Sequence, residues 1–341
     1  MPKKAKIHDI AQLAKVSPAT VSRVLHNYRG VNEETRAAVQ QAIQELGYIM
    51  PPPKAPERGS RMIGVMVGDT RNPFFSDMIY YLQNEFSRFG YVIVPFSIEF
   101  DSEIEKKQLS LAKELGLAAL VLVSSMNTET LRQELSGITC PVMLTDRIVE
   151  GFGGNIVIQD NFQAGYIATK YLIDLGYHRI AFMVGNENSA SSQRRVDGYR
   201  KALANAFLTV DESLIMPGKM SIKRGYQDGL AYIDQLDKMP HAALMANDLT
   251  AIGFLEACKE RGVRVPEDIS LVSFDGIELS SLKSFNLTTV RQPIEEMSQK
   301  ICELTIKAIE EPGSRQDNRV MLEPTLIVRG SACENTHRNQ H

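Results

Sequence analysis

From residue 61 onward the chain alternates short, continuously apolar runs with amphipathic stretches of helix length, and that alternation leaves few folds open. The runs are Ile63–Val67, Tyr91–Val94, Ala119–Val123, Pro141–Leu144, Arg179–Val184, Ala242–Met245 and Ser270–Phe274. Gly90, Gly116, Gly176 and Gly262 each close a helical pattern just before the next run, the place where helices commonly end in left-handed backbone. Strands that are apolar throughout and joined by helices form parallel sheets covered on both faces. Seven of them spread over residues 61–330 divide more easily between two sheets than they strain into one. The expected fold class is therefore α/β.

Residues 1–50 follow another rule. Ile10, Leu13 and Ala14 lie at i, i+3 and i+4, and Val21, Val24 and Leu25 repeat the spacing, as one apolar face of each of two short helices requires. Ser17 suits an N-cap and Pro18 the first helical position, where the missing N–H costs nothing. That leaves Pro18, Ala19, Ser22, Arg23 and His26 facing outward. A third helix is expected from Glu33 to Leu46, capped by Asn32. A helix presented after a tight turn is the geometry of a helix-turn-helix reader in a DNA major groove. The charge agrees: residues 1–60 hold nine Lys/Arg against five Asp/Glu, a net +4, so the rest carries −7 of the overall −3. Lys3, Lys4 and Lys6 suit phosphate contact. Residues 51–60 contain Pro51, Pro52, Pro53 and Pro56 and read as an extended linker.

Several chemistries are missing. Cys140, Cys258, Cys302 and Cys333 are far apart in sequence, so neither a disulfide framework nor a zinc site is expected. No nucleophile elbow, phosphate-binding GK[ST] loop or H-E-x-x-H occurs, and the six histidines are scattered. No 18-residue apolar stretch or signal peptide is evident. The expectation is a binding protein of the reducing cytoplasm, with no enzymatic activity, cofactor or metal.

Ligands of open parallel sheets sit at the carboxyl ends of the strands. Asp69, Asp146, Asn247, Asp248 and Asp275 each follow an apolar run directly. Such side chains can bridge vicinal hydroxyls, and any one of them can equally cap the next helix. Arg195 opens a helix after the loop at 185–192 and offers a two-pronged donor. Phe74 and Phe75 begin the first helix after residue 61, able to stack on a sugar's C–H face or to serve the core.

The wording of residues 7–48, IHDIAQLAKVSPATVSRVLHNYRGVNEETRAAVQQAIQELGY, resembles the headpiece of the lactose-repressor (LacI/GalR) family of bacterial transcription regulators. The likeness continues through IGVMVGDTRNPFFSDM, RVDGY, ANDLTAIGFLEA, VPEDISLVSFDG and LTTVRQP. It implies a three-helix headpiece (1–50), the linker (51–60) and a periplasmic-binding-protein-like effector and dimerisation domain (61–330) of two doubly wound subdomains. Lobe one would take 61–160 and 292–319, and lobe two 161–291 and 320–330. The crossovers would fall near Asp160, Arg291 and Arg319, the helix from Pro293 to Ile309 would return to lobe one, and 331–341 would be a disordered tail.

The resemblance also implies a homodimeric repressor on a pseudo-palindromic operator, governed by a small sugar or related effector. Other members answer to a protein co-regulator, and a non-regulatory cytosolic sugar-binding protein is the competing class. Asp146, Arg195, Asn247 and Asp275 occupy effector-contacting positions, with Asp69, Phe74 and Phe75 on the facing lobe. On the DNA side, Pro18 and Ala19 suit thymine methyls, Arg23 a guanine or phosphate, and Ser17, Thr20, Ser22, His26 and Asn27 complete the face. One departure stands out. Members commonly carry a hinge helix with a leucine after the GY motif, and this chain has prolines there and no leucine between Gly47 and Ser60. Proline disfavours a helix interior by about 3 kcal/mol, so no hinge helix is expected.

Overall fold

A computed structural model gives the architecture and describes residues 7–25, 31–46, 60–124, 131–135, 137–145, 152–186, 189–313 and 317–335. Two compact units result, Met1–Ala55 and Pro56–His341.

The first unit contains α1 (Ile7–Leu13), α2 (Pro18–Leu25) and α3 (Glu33–Glu45). Lys15 adopts a left-handed φ of 54° at the end of α1, and the Val16 N–H then donates to the Ala11 carbonyl at 3.0 Å. This tight close is what swings the chain into α2. Ser17 caps α2 by accepting from the Thr20 N–H at 3.1 Å, and Asn32 caps α3 by accepting from the Thr35 N–H at 2.8 Å. Ile10, Ala11, Val21, Val24, Val39 and Ala42 form the core. Leu13, expected inside, is 43% exposed. The small Ala11 is buried in its stead, so α1 is rolled toward the side that lets its neighbours approach. The expectation about a hinge helix falls on residues 51–59, outside the described residues.

The second unit contains two six-stranded sheets with the same strand order. The first joins β1 (Met62–Val67), β2 (Val92–Ser97), β3 (Ala119–Leu122), β4 (Val142–Leu144), β5 (Asn155–Gln159) and β11 (Arg319–Leu322) in the order β11-β5-β4-β3-β1-β2. The second joins β6 (Ala181–Val184), β7 (Ile215–Pro217), β8 (Ala242–Met245), β9 (Ser270–Asp275), β10 (Thr288–Arg291) and β12 (Thr325–Ile327) in the order β12-β10-β9-β8-β6-β7. All pairings are parallel except β10 with β12. The seven apolar runs became β1, β2, β3, β4, β6, β8 and β9. The five further strands are three to five residues long, too short or too polar to stand out as apolar runs. Gly90, Gly116, Gly176 and Gly262 all take left-handed φ, between 59° and 90°.

Around the first sheet lie α4 (Pro73–Ser87), α5 (Ser102–Glu114), α6 (Leu131–Glu134) and the returning α11 (Ile294–Glu310). Met297, Ile301, Cys302 and Ile306 of α11 share one core with Phe74, Phe75, Met78 and Leu82 of α4. Around the second lie α7 (Asn161–Asp174), α8 (Ala190–Asn205), α9 (Ile222–Ile233) and α10 (Asp248–Arg261). Here two helix pairs touch backbone to backbone. A Cβ on Gly165 would stand 2.0 Å from the Arg195 carbonyl oxygen, and one on Gly253 would stand 2.0 Å from that of Ile222. Only glycine permits either crossing.

Two boundaries need correction. Arg319–Leu322 pair with Ile156–Gln159, so the third crossover follows Leu322 instead of Arg319, and 320–322 belong with the first sheet. The expected disordered tail is pinned through Asn335. Ser331 is 2% exposed, its carbonyl accepts from the Leu271 N–H at 2.7 Å, and the Asn335 N–H donates to Leu175 at 2.8 Å. Polar composition suggested disorder, but these groups complete hydrogen bonds to β9 at Leu271 and to the end of α7 at Leu175.

Candidate functional site

The carboxyl ends of both sheets face a common cleft. On the second-lobe side, α8 carries Arg195 and β9 ends in Asp275. Arg195 Nε donates to Asn161 Oδ1 at 2.9 Å, and its NH1 donates to the Ala246 carbonyl at 3.1 Å. NH2 approaches Asp275 Oδ1 at 3.9 Å. The guanidinium lies 4.5 Å above the Phe274 ring, a further source of cation stabilisation. Gln292 Nε2 donates to Asp275 Oδ1 at 2.9 Å. Burial raises the Asp275 pKa above the ordinary range, while Arg195, Gln292 and Asn247 act to lower it. Its backbone is strained, with φ at 101°, a conformation that costs of order 1–3 kcal/mol and clusters at functional sites.

Behind it lies a second buried carboxylate. Asp248 accepts from the Ser273 hydroxyl, from the Thr289 hydroxyl at 2.8 Å and from the Ile277 N–H at 2.8 Å. Burial, and then the nearby Asp275 charge, push its pKa up to about 7 against the pull of these donors. Asp248 therefore ties the loop beyond Asp275 to β9 and β10. Ile277 on that loop is 3% exposed and joins the first lobe's core cluster.

The first-lobe wall is aromatic. Phe74 and Phe75 meet edge to face at 5.0 Å, and Phe100 stands 5.9 Å from Phe75. Phe100 is turned inward by a backbone in which Glu99 and Phe100 both have left-handed φ. Between the walls is a cavity of about 70 Å³. Of the sequence candidates, Phe74, Phe75, Arg195 and Asp275 line it together. Asn247 does not: its Oδ1 caps α10, accepting from the Thr250 N–H and hydroxyl at 2.9 and 2.7 Å. Nor does Asp69, whose carboxylate is paired with Arg71 at 2.9 Å. That hydrogen-bonded guanidinium holds its pKa below the usual carboxylate value. Asp146 lies outside the described residues.

Similarity settles the family. The chain matches the model of the bacterial regulatory proteins of the lacI family over residues 6–50, and that of the periplasmic binding protein-like domain over 169–332. It is 32% identical over 339 residues to the HTH-type transcriptional repressor PurR of Haemophilus influenzae, covering 96% of this chain and 98% of that protein. The chain belongs to the LacI family. Two solved regulators share its fold. One is a complex of the transcriptional regulator CelR with cellobiose, at 26% identity and TM-score 0.72, covering 96% of this chain and 100% of that one. The other is a LacI-family regulator from Enterococcus faecium with bound ribose, at 27% identity and TM-score 0.70, covering 81% of this chain and 100% of that one.

The sequence reading of this LacI-family chain passed over several cleft residues. Ser124, Thr145 and Gln159 follow or end β3, β4 and β5. The strand-end rule that selected Asp275 would have found them. Asn161 and Gln292 begin the segments after two crossovers, and no local motif marks them. On the headpiece, Ser17 and Pro18 are exposed at the start of α2 and Thr20 is half-buried, its hydroxyl 2.8 Å from that of Ser17. Ala19, Ser22 and Arg23 lie on α2, while His26 and Asn27 lie outside the described residues.

Proposed function

We propose that this protein is a dimeric repressor that binds a pseudo-palindromic operator through two headpieces and is controlled by a small sugar or sugar-like effector in its cleft. The observation that carries this reading is one chain joining a helix-turn-helix unit to a cleft with a buried Arg195–Asp275 pair facing Phe74 and Phe75. Guanidinium and carboxylate together donate to and accept from neighbouring hydroxyls, and aromatic faces cover the C–H side of a sugar ring. PurR's name supports a repressor, and the cellobiose and ribose of the two solved regulators support a carbohydrate ligand. The protein works by binding, with no catalytic step, and acts in the cytoplasm where its DNA is. Arg23 is assigned to base or phosphate contact, Pro18 and Ala19 to thymine methyls, and Ser17, Thr20, Ser22, His26 and Asn27 to the rest of the DNA face.

The test combines DNA and effector. Fragments enriched from a random duplex pool by the full chain should bind at least about 10³-fold tighter than unselected duplex, within the usual specificity range. D-ribose, D-xylose, D-glucose and cellobiose are then screened by thermal shift, and any that binds should change operator affinity. No enrichment at low ionic strength would sink the DNA reading. Tight sugar binding without effect on the operator would sink the regulatory one.

A further inference from the structure

Gln159 ends β5 in the first sheet, is 3% exposed, and lines the cleft. Among the described residues neither its Oε1 nor its Nε2 has a hydrogen-bond partner. A carboxamide offers two N–H donors and a carbonyl acceptor, and burying them unpaired costs stability that an apolar side chain of like size would not lose. On the β11 side the main chain is already committed: Gln159 is paired in register with Leu322, and the next N–H, of Asp160, donates to Leu322 at 2.9 Å. Thr145 at the end of β4 has its hydroxyl turned to the Val123 carbonyl at 3.3 Å. Because β3, β4 and β5 are neighbours in the sheet, Ser124, Thr145 and Gln159 form a polar row on a lobe whose other cleft residues include Phe74, Phe75, Phe100 and Met78.

We infer that Gln159 is a specificity-determining residue of the cleft, its carboxamide kept unpaired for a ligand that brings an adjacent donor and acceptor to the first-lobe wall. Vicinal hydroxyls meet that requirement from either ring face, so the ligand is gripped from both lobes: by Arg195 and Asp275 on one, by Gln159 on the other. The inference rests on the reading of the cleft as an effector pocket. It goes further in naming a polar anchor on the wall that otherwise looks built for apolar contact.

The experiment compares the full-length protein with Gln159→Met, which keeps length and removes the polar atoms. Without ligand, the variant's unfolding midpoint should rise by about 2–4 °C, as relief of one unpaired buried group predicts for a domain of this size. An unchanged or lowered midpoint overturns the inference, since the carboxamide would then be satisfied within the fold. With D-ribose, D-xylose, D-glucose and cellobiose as ligands, any sugar that binds the wild type should lose at least about tenfold in affinity to the variant. A sugar held equally by both proteins also overturns it. If none of the four binds the wild type, the sugar reading of the cleft is what fails. The ligand-free comparison still decides whether Gln159 is held unpaired.

Discussion

The two lobes of the effector domain share strand order, yet they face the cleft in opposite ways. The first presents phenylalanines stacked against a side-chain core that α11 returns to complete. The second presents Arg195 and Asp275, held by backbone carbonyls, carboxamides and helix crossings that no side chain larger than hydrogen can enter. Equal strand order therefore did not dictate equal walls. A charged pair needs its partners fixed to a fraction of an ångström, and glycine-mediated contact between α7 and α8 fixes the arginine's own backbone. An aromatic wall tolerates more adjustment, because dispersion contacts are non-directional.

Four perturbations would break or sharpen that contrast. The largest effect is expected at the glycine crossings. Gly165→Ala or Gly253→Ala places a methyl 2.0 Å from a carbonyl oxygen and should destabilise by about 3 kcal/mol or more, measured by urea denaturation. A loss under about 1 kcal/mol would show that these helix pairs can part freely.

Next in size is Arg195→Met, which leaves Asp275 buried without its cationic neighbour. Affinity for whichever sugar binds the wild type should fall by about 2–5 kcal/mol, read by calorimetry. Retention of that affinity would move the polar recognition to the first lobe.

Third is a pH effect confined to the second lobe. The Asp248 carboxyl is pushed up to about 7 in the folded protein from an ordinary 3.8, so the folded state binds its proton more tightly than the unfolded state does. This group's contribution to stability is thus present at acid pH and is lost as pH rises from about 4 through 7. Carbon-13 NMR of labelled aspartate should show the late titration, and Asp248→Asn should flatten that part of the stability profile. A midpoint below about 5 would contradict it.

The smallest effect is expected from Asp69→Asn on the first lobe. It removes a pair with an exposed Arg71, where solvent screening leaves little net stabilisation, and should leave both stability and sugar affinity nearly unchanged. A clear loss of binding would restore Asp69 to the cleft.

Periodicity made the sheets legible. Burial on both faces demands unbroken apolar runs, and those runs located seven strands; β7 and β12, at three residues each, carry too little pattern to be seen. Strand-end logic picked out both Asp275, which lines the cleft, and Asn247, which caps α10, because cleft walls and helix caps occupy the same place after a strand. In Asn247 the cap uses the side-chain oxygen. Phe100 was invisible for another reason: two successive left-handed residues turn it into the cleft, and neither Glu99 nor Phe100 announces such backbone. The pinned segment Ser331–Asn335 was misread because its hydrogen-bond partners, Leu271 and Leu175 among them, are remote in sequence.

Ile277 sits two positions beyond Asp275, lodged among side chains of the opposite half. Prising the halves apart would expose it, a penalty of up to about 1.5–3 kcal/mol, which at tenfold per 1.4 kcal/mol is a preference for the shut form of roughly ten- to a hundredfold. The short bend from Asp275 to Ile277 is thus a clasp between the two halves, and it starts at a residue of the cleft wall.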